Sequence, residues 1–326
     1  MEIFDLSKKY NFYDKFTDNV QNNIKILIDI FGNTFNLKYE KFIIFIKLTW
    51  DTYFKCYILT HDIQYRIFKE YPFQIRFIDI NVFPHELNNN SSIYSIHKTN
   101  YLNGDKIMNI ILSINKLLNV KKIYLYDKSY IDIGNIKKEL ALKLLFEKNT
   151  TFFLNYNFKY IINYTNYFFT FNSNKDLNEY INKLLIKSKK IKIKSIKKMY
   201  NNLSELLLII LNNQNYDNLK IKIKKLDNSY YKNNSNDSII KIINELFNET
   251  KLMLELLNDI NNIYFYELFI KIFNEDSNKY NLIYKYIIKN NIDYIIYKNK
   301  KIKYNYSCIQ KLCIILENNI LEYTFD

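Results

Sequence analysis

Three short stretches hold residues whose types and spacing suit chemistry. In Asp127-Lys128-Ser129, a carboxylate and a hydroxyl two residues apart follow the apolar run KIYLY at 122–126. A carboxylate at the end of a strand serves as a general base if apolar surroundings lift its pKa toward neutrality; the same pair also reads as a turn that caps the next element. In Gly104-Asp105-Lys106, a glycine stands before a helical pattern, where backbone N–H groups at a helix start cradle phosphate. Residues 183–198 (KLLIKSKKIKIKSIKK) carry eight lysines and no acid, whereas residues 201–326 carry 16 lysines against 15 acids. A local excess of that kind suits a phosphate or acidic-protein partner, and it also suits a solvated face.

Other chemistries lack their residues. Cys56, Cys308 and Cys313 form an odd, scattered set without zinc-ligand spacing, and His61, His85 and His97 show no ligand repeat, so no metal site is expected. Three glycines and two prolines in 326 residues exclude Gly-rich phosphate loops and Pro-rich linkers, and leave Asn to make the turns. The formal charge is +14, but it comes from 45 Lys and only two Arg (Arg66, Arg76), in a chain rich in Ile, Asn, Tyr and Phe. Those residues have AT-rich codons, so part of the excess reflects base composition. The scarcity of Arg argues against sequence-specific base readout. No run of about eighteen uncharged apolar residues occurs, so no membrane span is expected. The opening MEIFDLSKKY carries acids and lacks the apolar core of a signal peptide, which makes a soluble intracellular protein, cytoplasmic or nuclear, the expectation.

The elements that must position these residues divide at a change of texture. Residues 41–48 and 73–82 read as β-branched, aromatic strands, with a hairpin between them over 53–68 and a polar loop over 86–92. Residues 105–120 carry a helical stripe of Ile107, Ile110, Ile111, Ile114, Leu117 and Leu118, with Asp105 in the first turn. Residues 122–126 read as a strand, 136–146 as a helix, and 152–162 (FFLNYNFKYII) as another strand. Beyond the polar turn 171–175, helical spacing dominates over 176–213, 238–273 and 280–297. The expected class is therefore α+β: a mixed α/β domain over 1–170, then a mostly α-helical domain over 171–326. If residues 183–198 form a helix, Lys187, Lys190, Lys194 and Lys198 make a basic ridge; an alternating strand through KKIKIK is the competing geometry.

Residues 103–158 resemble the central motifs of the GNAT superfamily of N-acetyltransferases, and the resemblance extends over roughly residues 40–165. Gly104 stands where that family has its glycines, Ile123 and Leu125 match its I-x-L strand, and Phe152 and Phe158 match the outer aromatics of its F-Y-x-x-x-G-F segment. The resemblance implies a GNAT-like fold in which Gly104, Asp105, Lys106, Ile123 and Leu125 bind acetyl-CoA beside strands that splay to admit the thioester. The family's proton-donating tyrosine is replaced by Phe153 and its glycine by Asn157, and the Gly-rich turn is reduced to Gly104 followed by an acid. A degenerate member is implied, in which Asp127 or a water would take over the proton chemistry. The same stretch resembles proteins of large nucleocytoplasmic DNA viruses through Asp127, Ser129, Thr151 and Phe152, which implies no activity but would place the protein in a host cell or virion. The alternative is a non-enzymatic nucleic-acid-associated or structural/assembly protein that uses the basic segment 183–198.

Overall fold

The computed structural model describes residues 15–39, 42–52, 56–61, 73–77, 89–96, 103–127, 129–133, 136–162, 171–213, 219–223, 236–260, 263–275, 277–289, 292–303 and 307–325. They form an α+β structure that separates into two compact units. The first comprises residues 1–126, 156–161 and 320–326; the second comprises 127–155 and 162–319. In chain order the second unit is therefore an insertion into the first, and the division does not run at the single point near residue 170 that the change of texture suggests.

The first unit is built on an eight-stranded sheet. It contains α1 (Val20–Phe31), β1 (Thr34–Tyr39), β2 (Phe42–Asp51), β3 (Cys56–His61), β4 (Phe73–Phe77), β5 (Asn90–Ile96), α2 (Gly104–Leu117), β6 (Lys122–Tyr126), β9 (Lys159–Ile161) and β13 (Ile320–Thr324). The sheet order is β1-β2-β3-β4-β5-β6-β13-β9, and every pairing is antiparallel except β5 with β6. Alternation puts Ile44, Ile46 and Leu48 of β2 and Phe73, Ile75 and Phe77 of β4 into the core. Two buried amides join helices to this frame. Asn23 of α1 donates to the carbonyls of Thr17 and Leu118, at 2.8 and 3.0 Å, and accepts from Thr17 N at 2.8 Å. Asn115 of α2 accepts from the hydroxyl of Ser91 on β5 and donates to Ile111 O.

Gly32 ends α1 with φ 80° and ψ −176°, backbone that only glycine adopts readily, although a Cβ there would meet no atom within 4 Å. Gly32→Ala is therefore expected to cost about 1–3 kcal/mol from backbone strain alone. Urea denaturation reads it, and an unchanged midpoint would contradict it.

The second unit contains β7 (Tyr130–Ile133), β8 (Ile136–Glu139), α3 (Leu140–Lys148), a 3-10 turn (Leu154–Tyr156, whose last residue belongs to the first unit), α4 (Asn174–Lys189), α5 (Ile193–Asn213), β10 (Lys220–Ile223), α6 (Asn236–Leu257), α7 (Phe265–Asn274), α8 (Asn278–Lys289), β11 (Ile292–Tyr297), β12 (Lys300–Lys303) and α9 (Ser307–Asn318). Its core gathers Phe146, Phe265, Phe269, Phe273 and Tyr284, with ring centroids 5.1–6.1 Å apart. Buried Lys138 of β8 donates to Ile272 O at 2.6 Å, satisfying one of the carbonyls that the end of α7 leaves without a helical partner.

Several expectations change. The helix expected over 136–146 begins only at Leu140, because Ile136–Glu139 pairs with Tyr130–Ile133 as a hairpin. The strand expected over 152–162 is a 3-10 turn followed by β9. The helix expected over 280–297 stops at Lys289, and Ile292–Tyr297 is the middle strand of a sheet ordered β10-β11-β12. Within the polar loop expected over 86–92, Asn90–Ser92 already belongs to β5. The second half of the hairpin expected over 53–68, and residues 78–82, lie outside the described residues.

Candidate functional site

The parallel pair β5 and β6, joined through α2, makes the one βαβ crossover among the described strands of the large sheet. Its pairing covers Asn90 with Lys122, Ser91 with Ile123, and Ser92 with Tyr124, and then stops. Beyond that point, among the described residues, Ile93, Ser95 and Ile96 pair only with β4, while Leu125 and Tyr126 pair only with β13. The two strands thus part toward their carboxyl ends. In a crossover of this kind the connecting helix starts at that same end, where ligands of open α/β sheets bind. A bulge assists the parting: Gln74 faces Ser95 and Ile75 faces Ile93, so Tyr94 has no partner on β4. Its ring is 61% exposed, with the Arg76 guanidinium 3.8 Å above it.

Gly104 is the first helical residue of α2, after Asn103, whose side chain accepts from Lys106 N at 2.9 Å. Among the described residues, no bond within the protein takes up the amides of Gly104 and Asp105. Two donors and the positive end of the helix dipole are therefore available to an anion. Against this stands the exposed Asp105 carboxylate, which accepts from the Tyr156 hydroxyl at 2.7 Å. At about 4 Å a pair of like charges in water costs roughly 1 kcal/mol, whereas a hydrogen bond to a charged group contributes about 1.5–3 kcal/mol. Asp105 weakens an anion site here without abolishing it.

Ile123 and Leu125 are buried core side chains of β6, the first inside the paired stretch and the second just past it. Asn157, at the glycine position of the resemblance, has φ 66°. Asn tolerates this left-handed backbone, so the chain turns there as a glycine would allow. The turn lets Tyr156 reach α2 and puts Phe158 in the core against Tyr323, at 5.3 Å. Tyr156 is a residue the sequence reading passes over; a phenol next to a left-handed Asn is the signal for it.

Asp127 follows β6 directly in the chain and is counted with the second unit. It is 4% exposed; its Oδ1 accepts from the Ser129 hydroxyl and amide, and its Oδ2 is buried with no hydrogen-bond partner among the described residues. Burial raises its pKa above the ordinary 3.8, and the Ser129 bonds oppose the shift only in part. Folding therefore favours the protonated form. The stability tied to this group is full below about pH 3.8 and is lost as pH rises through the folded-state value. Asp127→Asn is accordingly expected to be more stable than the parent at pH 7, by about 1–3 kcal/mol, and to match it near pH 3. Denaturation at the two pH values reads the difference, and a variant less stable at pH 7 would sink the assignment.

The basic segment is not one helix. The end of α4 carries Lys187, with Lys190 as its cap, and α5 begins at Ile193 with Lys194 and Lys198. Between the helices, Phe265 N donates to Ile191 O at 2.7 Å and Ile193 N to Ile263 O at 3.1 Å, so the start of α7 holds the chain in a turn there. The ridge is broken into two pairs, although all four lysines are exposed.

Among the described residues, no group of three His, Cys, Asp or Glu is placed to hold a metal, and no helix is long and apolar enough to cross a membrane. Comparison with protein families, with characterised proteins and with solved structures finds no match.

Proposed function

We propose that the first unit is a degenerate GNAT-like fold that binds acetyl-CoA and supports slow acetyl transfer to an amine. The observation that carries the reading is the parting of β5 and β6 beside a helix start with two unbonded amides. Gly104 and Asp105 would donate to the pyrophosphate, with Tyr156 as a third donor once it leaves Asp105. The acyl arm would enter between the parted strands. There the amine nitrogen bonds to the thioester carbonyl carbon, the C–S bond breaks, and coenzyme A departs as a thiolate.

Water takes the proton that the amine loses. Phe153 offers no proton to the thiolate, so water supplies it. General acid catalysis is worth about 10²- to 10⁴-fold, which is why a slow reaction is proposed. Calorimetric titration of the whole protein with acetyl-CoA tests the reading: millimolar or tighter binding supports it, and no heat at millimolar ligand ends it.

A further inference from the structure

The second unit contains a module that the acyltransferase reading does not use. The helix α7 ends at Asn274 and α8 starts three residues after Glu275, at Asn278, behind Ser277, which accepts from Tyr280 N on its hydroxyl and from Asn281 N on its carbonyl. The two helices pack on each other, α6 packs on α8, and the chain then runs directly into the β11–β12 hairpin. That hairpin turns on two left-handed residues, Lys298 (φ 44°) and Asn299 (φ 67°), in a tight two-residue loop. Antiparallel pairing of β11 with β10 anchors it, and β12 lies on α5.

We infer that this helix–turn–helix and its hairpin bind duplex nucleic acid, with α8 entering a groove and the hairpin tip resting on the phosphates. The charge is concentrated where such a contact needs it. Residues 278–303 hold seven lysines and one acid, Asp293, whereas residues 201–277 hold eight lysines and eleven acids. At the hairpin tip Lys298, Asn299, Lys300 and Lys301 are all exposed, and on α8 Asn278 and Lys285 are exposed. On α8, Ile283, Tyr284 and Ile287 face the core, which leaves Asn278 and Lys285 on the outward side, while Lys279 pairs with Asp259 at 3.3 Å. A second helix after a connection of three to four residues is the element that enters the major groove in helix–turn–helix proteins, and three residues separate α7 from α8 in the sequence. Without arginine in this stretch the contacts are to phosphates, so affinity rather than base sequence is what the module supplies. The surface differs from the 183–198 segment, which lies on α4 and α5.

The test uses the full chain and fluorescence anisotropy on a 25-base-pair DNA duplex, with a single strand of the same length and anionic vesicles as competitors. Duplex binding is expected to fall steeply with salt. The triple variant Lys298→Glu/Lys300→Glu/Lys301→Glu is expected to weaken it more than tenfold and to lessen the log–log salt slope by about three contacts times 0.9, or about 2.7. Lys→Gln at the same three positions should act in the same direction, which separates lost contact from repulsion or misfolding. Reversal of Lys187, Lys190 and Lys194 is expected to change neither affinity nor slope by more than about twofold. The inference is overturned if the duplex does not bind, if single strands or vesicles compete better than duplex, or if the 183–198 variant loses binding while the hairpin variants keep it. Acetyl-CoA titration of the hairpin variants keeps this outcome separate from the fate of the acyltransferase reading.

Discussion

In the Gly104→Pro variant, acetyl-CoA affinity is expected to fall by about 10- to 100-fold with α2 intact. Proline at the first helical position is well tolerated because its fixed φ suits the helix and its missing N–H has no helical partner. Asn103 already has extended backbone, φ −79° and ψ 167°, of the kind a residue before proline prefers. The substitution therefore deletes one of the two amides proposed to hold the pyrophosphate and little else. A hydrogen bond to a charged group contributes about 1.5–3 kcal/mol, and 1.4 kcal/mol is tenfold. Asp105→Asn is expected to act in the opposite sense, raising affinity by up to about tenfold, since it removes roughly 1 kcal/mol of repulsion for each nearby phosphate charge. The opposed signs make the pair diagnostic. If both variants bind as the parent does, the ligand does not sit on α2.

The second large effect is structural. Leu321→Asp is expected to cost more than about 4 kcal/mol and to leave most of the first unit unfolded, read by denaturant titration or proteolysis. Leu321 is fully buried in β13, between Leu125 of β6 and Tyr160 of β9. Removing its side chain forfeits about 2–3 kcal/mol of burial, and a carboxylate in its place has no described cationic neighbour in the sheet register. Domains commonly hold only about 5–15 kcal/mol in total. A midpoint within experimental error of the parent would show that β13 is not a central strand.

Much of the α+β character was legible in the residues. The stripe Ile107–Ile110–Ile111–Ile114 is local and strong, and the helix formed on it with Asn103 as its cap and Asp105 in the first turn. The KIYLY strand and the helix start after Ser173 followed for the same reason. The strand β5, by contrast, reads Asn-Ser-Ser-Ile-Tyr-Ser-Ile and carries little apolar signal; Ser91 is buried there because Asn115 of α2 satisfies it. Ile136–Glu139 has helix-forming neighbours but is drawn into a hairpin by pairing with Tyr130–Ile133, where the tertiary partner outweighs the local preference.

For the candidate site, the residue types were visible and their relations were not. Gly104 and Asp105 could be placed at a helix start from pattern alone, but the Tyr156 hydroxyl that bonds Asp105 lies 51 residues away. Asn157 stands where the resemblance has a glycine, and only the structure shows that its φ is positive. The lysines of 183–198 were countable, but only the turn held by Phe265 N on Ile191 O reveals that they occupy two helices.

By itself the sequence determined the helix and strand content wherever hydrophobic period is local, the absence of Gly-rich loops, and the lysine-rich, arginine-poor character of any charged surface. Tertiary structure alone decided that β13 (Ile320–Thr324) returns to sit between β6 and β9, that β5 and β6 part after three pairs, and that a lysine-tipped hairpin follows α8. The reason is physical. Strand pairing is set by partners that stand tens to hundreds of residues apart, and a period of two carries no information about which edge a strand will join.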